Sequence, residues 1–151
     1  MSICTFFAAD CPLETAAPSQ AYPLHMDLDN GTVNDGGADD NYFLLPFPDA
    51  QTYTDKTHAV CLEWNYTPGR ANRLIQYIKN ALQHTDAVEF WHVWLMDYWE
   101  FEDRPVIHRQ TVAIDDLTAG QIRDLDAAEI WNNPDRQYPE RPSFYCLTVT
   151  R

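Results

Sequence analysis

Residues Thr67 to Trp99 read TPGRANRLIQYIKNALQHTDAVEFWHVWLMDYW, a helix signature that runs directly into a strand signature. Thr67 is placed to cap the helix, and Pro68 takes the first helical position, where its missing N–H costs nothing. Ala71, Leu74, Ile75, Ile78 and Leu82 recur at the spacing of one buried face, opposite Arg73, Gln76, Lys79, Asn80 and Gln83. The spacing predicts a helix to about His84. Glu89 to Trp99 is then predicted as a long aromatic strand.

On either side the chain supplies more strands than helices. Met1 to Ala8 reads as a first strand. Asn41 to Phe47 reads as another, which Pro46 confines to an edge or ends. Thr57 to Trp64 and Ser143 to Thr150 are further strand runs, and Pro105 to Ile114 is expected to return as the antiparallel partner of the aromatic strand. Thr118 with Gln121 fits a capping box, and Leu117 with Ile122 a hydrophobic staple. The same signature repeats at Asp126 with Glu129 and Leu125 with Ile130, so two short consecutive helices are expected. The segment from about 10 to 40 is acidic and loop-rich, with a small type I′ hairpin expected at Asn30-Gly31. These runs predict an α+β fold: a largely antiparallel sheet with one long amphipathic helix and one or two short helices packed on it. No repeat or composition break divides residues 1–151, so a single domain is expected.

Charge bounds the function. The net charge is −13, and residues 1–57 hold nine acids against one base, Lys56. Such a chain repels phosphate backbones, and no basic stripe offsets it, which argues against DNA or RNA as partner. The field favours a basic protein, a metal cation or plain solubility. Lys56 is the first Lys or Arg, so neither a secretory signal nor a mitochondrial presequence fits, and no apolar run is long enough to span a membrane. A soluble, cytoplasmic protein is expected, with free thiols at Cys4, Cys11, Cys61 and Cys146.

Catalytic signatures are scarce. Five glycines form no phosphate loop or dinucleotide fingerprint, and three serines form no nucleophile elbow. The histidines show no i, i+4 pair, although His92 and His108 lie on the two strands expected to pair. Asp27 to Gly31 misses the glycine position of a calcium loop. Cys61, mid-strand between Val60 and Leu62, is expected to be a buried structural thiol. No cofactor and no metal site are therefore expected.

One constellation stands out. Asp97, Tyr98, Trp99, Glu100, Glu102 and Asp103 crowd rings and carboxylates together at the end of the aromatic strand. Either both sheet faces are covered there, or the rings are exposed with the anatomy of a hot spot for a basic protein. Asp35, Asp39 and Asp40 form a second acidic candidate. In overall character the chain resembles the immunity proteins of bacterial toxin–immunity systems. That resemblance implies a basic toxin domain as partner, and it assigns no residue. Two other readings compete: an enzyme or ligand-binding protein with a pocket beneath the aromatic strands, using Asp97 and Glu100 near His92, and a self-associating structural subunit.

Replacing Glu100, Glu102 and Asp103 together by neutral polar residues should leave the melting temperature unchanged or slightly raised. If these groups face a basic surface, the same change weakens binding by about 1–3 kcal/mol. Titration of wild type and triple variant against a candidate toxin domain, with thermal unfolding of each, measures both effects. Equal affinities would move the interface elsewhere.

Overall fold

The computed structural model describes residues 2–19, 24–95, 106–128 and 143–151. Among these residues eight strands and two α-helices follow in chain order: β1 (Ser2–Ala9), β2 (His25–Asp27), β3 (Thr32–Asn34), β4 (Tyr42–Pro46), β5 (His58–Trp64), α1 (Pro68–Ala81), β6 (Ala87–Leu95), β7 (Val106–Ala113), α2 (Ala119–Asp126) and β8 (Ser143–Thr150). Six strands form one mixed sheet in the order β4-β5-β1-β6-β8-β7, and β2 pairs with β3 in a separate two-stranded sheet. The fold is α+β and mostly antiparallel; β7 with β8 is the parallel pair.

Both helices are crossovers. The chain leaves β5, crosses β1 through α1 and re-enters as β6, so β1 lies between the two strands that α1 joins. Likewise α2 lies between β7 and β8. The caps act as their residues predict. Thr67 accepts from the Arg70 amide at 3.1 Å, and Thr118 and Gln121 form a reciprocal capping box. The helix expected to reach His84 ends at Ala81, and single turns carry the chain on through Gln83 and His84. The second capping signature, at Asp126 and Glu129, extends outside the described residues.

Alternation along each strand divides the core in two. On the helix face, Phe7, Val60, Leu62, Val88, Phe90, Leu147 and Val149 pack beneath Ala71, Leu74, Ile78 and Ile122. On the other face, Cys4, Phe6, Ala8, Trp91, Val93, Phe144 and Cys146 are buried with Ala50 from a 3-10 turn, Pro48–Thr52. Phe90 stacks on Phe7 with ring centroids 4.6 Å apart, while Trp91 on the opposite face stacks on Phe6 at 5.9 Å. Over Glu89 to Val93 the aromatic strand is thus covered on both faces.

That coverage overturns the expected pairing of the aromatic strand with residues 105–114. A strand buried on both faces needs a full neighbour on each side, and β1 and β8 supply them. Strand β7 exposes Ile107, Arg109, Gln110 and Thr111 and takes the sheet edge, parallel to β8. His92 and His108 therefore do not pair. Each stands in register with Tyr145, one strand to either side. At the opposite edge, β4 ends at Pro46 as expected, and Ala16 bridges to Leu44 and shields part of that edge.

Candidate protein-binding surface

The acidic segment folds around one buried guanidinium. Arg70, in the first turn of α1, is fully buried. Its Nη1 and Nη2 donate to the two oxygens of Asp35 at 2.8 and 3.1 Å, its Nε donates to the Ala38 carbonyl at 2.8 Å, and Nη1 also reaches the Asn65 carbonyl at 2.8 Å. The guanidinium and the Gly37 amide hold the Asp35 carboxyl far below the usual carboxylate range. Asp39 is exposed and lays its carboxylate over Gly69 at the N-terminus of α1, where a side chain in place of glycine would collide with it. That placement suits the helix dipole. Asp40 accepts from the backbone amide and hydroxyl of Ser19. Of the three acids expected to meet a partner here, Asp35 is thus committed to Arg70, and Asp40 to Ser19. The other expected residues, Asp97, Tyr98, Trp99, Glu100, Glu102 and Asp103, lie outside the described residues.

Immediately before Asp35, the β2–β3 hairpin stands apart from the main sheet. Its loop runs from Leu28 to Gly31, because Asp27 pairs with Thr32. Gly31 alone turns left-handed, at φ 64°, and Asn30 does not. A two-residue type I′ turn would need positive φ at both positions, so the expected turn is replaced by a four-residue loop. The Asp27 carboxylate closes it, accepting from the amides of Asp29 and Asn30 at 3.0 and 3.2 Å and from the Asn30 side chain at 2.7 Å. The carboxylate of the calcium-like motif is spent on its own turn.

The apolar side chains of this hairpin join neither core cluster of the described residues. Leu24, Met26, Leu28 and Val33 are 64, 69, 84 and 61 % exposed. Met26 stands opposite Val33, so the two share a face, while His25, Asp27, Thr32 and Asn34 make the other face polar. These four residues were not among the expected contacts. The alternating run LHMDL at Leu24 to Leu28 carried the signal, for it puts apolar residues at a strand period beside acids.

A second feature lies between α2 and the β7–β8 edge. A cleft of about 420 Å³ is lined by His108, Gln110, Gln121, Asp124, Leu125 and Tyr145, among others. The His108 and Tyr145 rings stack at 4.9 Å. Behind Tyr145, His92 is buried, and neither ring nitrogen has a partner among the described residues. Burial lowers its pKa to about 4, against a smaller opposing effect from the backbone of Asp126 and Leu125. Burial raises the Asp126 carboxyl, which bonds to Thr5 at 3.4 Å. Among the described residues no three His, Cys, Asp or Glu side chains gather into a metal site. No helix of the described residues is long and apolar enough to cross a membrane.

The chain matches no protein-family model, no curated protein and no solved structure.

His92 sets a pH dependence of stability. Its folded pKa lies below the unfolded value, so from about pH 6.5 down to about 4 the unfolded chain binds a proton that the native state does not. Stability falls with pH in that window, by at most about 1.4 kcal/mol per unit. Asp126 works the other way: raised in the native state, it binds its proton before the unfolded chain does and recovers part of the loss at the lower end. Asp35, whose pKa is lowered, acts below the window. Urea unfolding at pH 7 and pH 5 should show a loss of about 1–2 kcal/mol in wild type and a much smaller one in His92→Gln. Equal losses in the two proteins would show that His92 is not buried neutral.

Proposed function

We propose that this chain is a protein-binding inhibitor of the immunity type, which captures a basic toxin domain and docks it on the β2–β3 hairpin and the acidic segment behind it. The observation that carries this reading is the hairpin itself. Four large apolar side chains stand exposed on a two-stranded ribbon outside the main sheet, a unit that is marginal in water on its own. Exposed apolar groups rimmed by polar ones mark interaction sites. Charge supports the choice of occupant: residues 24–41 contain five aspartates and no Lys or Arg. A basic surface would meet apolar anchors at the centre and carboxylates at the rim, which raise the association rate and reject acidic partners. The same charge disfavours a second copy of this chain, since each carries −13.

Ligand binding, the second reading, draws on the cleft beside α2, which His108, Tyr145, Gln110 and Gln121 line with polar groups. Saturating small-molecule stabilisation that Gln110→Leu abolishes would favour it.

The deciding experiment titrates the chain against candidate basic toxin domains. Met26→Ser with Leu28→Ser should leave stability within about 0.5 kcal/mol, because both side chains are exposed. It should weaken binding by about 2–4 kcal/mol. Raising the ionic strength should slow association more than it speeds dissociation. Unchanged affinity in the double variant would remove the hairpin from the interface. Failure of the unmodified chain to bind any basic domain would remove the function.

A further inference from the structure

Cys4 on β1 and Cys61 on β5 bring their sulfurs within 3.4 Å of each other. The register sets Phe6 opposite Cys61, which makes the two cysteines diagonal neighbours on adjacent antiparallel strands. They lie on the sheet face away from the helices, with Cys4 buried beside Phe6 and Val93 and Cys61 half-buried. The expectation of a buried Cys61 is thereby corrected. The reason is local: Leu45, its neighbour in register on the edge strand, is itself 40 % exposed, and so are Phe43 and Leu95 in part. This end of the face is open to a small solute.

The two thiols are not equivalent. The hydrogen bond with Cys61, reinforced by burial, holds the proton on Cys4 and raises its pKa far above the usual thiol range. The same bond lowers the pKa of Cys61. Cys61 is thus the more nucleophilic and more accessible sulfur, with a protonated thiol already in contact. Burial instead pushes the Cys146 thiol up to about 12 and raises Cys11 as well, which makes both poorer nucleophiles.

The geometry points to Cys4 and Cys61 as a site of reversible oxidation that takes hydrogen peroxide as oxidant and closes to a disulfide. The Cys61 thiolate attacks one peroxide oxygen, the O–O bond breaks, and the departing hydroxide takes up a proton to leave as water. Cys61 is now a sulfenic acid. The Cys4 sulfur attacks it, the S–O bond breaks, and a second water leaves with the Cys4 proton. Two thiols lose two electrons and one peroxide gains them. Bond formation asks the sulfurs to close by about 1.4 Å, a shift within reach of side-chain rotation and strand breathing. A diagonal cross-strand bond departs from relaxed disulfide geometry, and strained bonds are the ones small thiols reduce. The oxidation is therefore reversible.

The test uses hydrogen peroxide on the reduced full chain, followed by catalase and unfolding in N-ethylmaleimide. Two of the four free cysteines should be lost to the maleimide. The intact mass should drop by about 2 Da. A single linked peptide should join Cys4 to Cys61, and dithiothreitol should restore all four adducts. In Cys4→Ser the reaction should stop at a sulfenic acid on Cys61, which dimedone traps. Four adducts after peroxide, a sulfinic acid on Cys61 with Cys4 unchanged, or a disulfide joining any other pair would each overturn the assignment.

Discussion

The buried guanidinium of Arg70 is the constraint on which the acidic half of the molecule depends. A fully enclosed cation needs a counter-charge and a partner for its donors, or its desolvation would outweigh what its burial gains. Asp35 supplies the charge through two parallel bonds, and the carbonyls of Ala38 and Asn65 take further donors. These groups come from two different loops, one following β3 and one following β5. Satisfying Arg70 therefore fixes where the chain leaves the hairpin and where it enters α1. Asp39 over the helix N-terminus and Asp40 on Ser19 extend the same clasp. The hairpin then projects from a rigid base, with its apolar residues turned to solvent.

Carboxylates in this segment thus do two jobs that charge alone does not distinguish. Those after Asn34 organise the loop, and Asp27 closes its own turn. Together they still leave a one-signed field, since residues 24–41 hold no Lys or Arg and the guanidinium that reaches them from α1, Arg70, is enclosed and paired. Apolar anchors set in such a field suit a basic protein better than a nucleic acid, a membrane surface or another copy of this chain. On the far face of the sheet, buried Glu89 plays a further structural part. It receives bonds from Thr54 and Trp91 and pairs with Arg109 at 3.7 Å, tying the loop after the 3-10 turn to the sheet.

Much of the fold was legible because local chemistry decided it. Thr67 and Pro68, the Thr118 and Gln121 box, and Pro46 at a sheet edge all act through neighbours close in sequence. Pairing was not legible. Alternation along Glu89 to Leu95 reveals a strand, yet only tertiary packing reveals that β8, some fifty residues on, takes the place a hairpin would have given β7. The roles of the acids were hidden for the same reason: Asp35 and Arg70 are 35 positions apart, so sequence shows a charge run where the structure has an ion pair. The apolar hairpin face was readable from Leu24, Met26 and Leu28. The denser cluster of rings and acids at residues 97–103 gives the stronger sequence signal.

On the proposed function, a basic protein docks on the β2–β3 hairpin, held out by the Arg70 clasp. Backbone hydrogen exchange tests it most directly, since a two-stranded ribbon without a core opens readily and exchanges fast when free. On addition of a basic toxin domain that binds the chain, amides of residues 24–34 should become protected while those of β1 and β6 stay as they were. A complex that forms with exchange in residues 24–34 unchanged would contradict the claim.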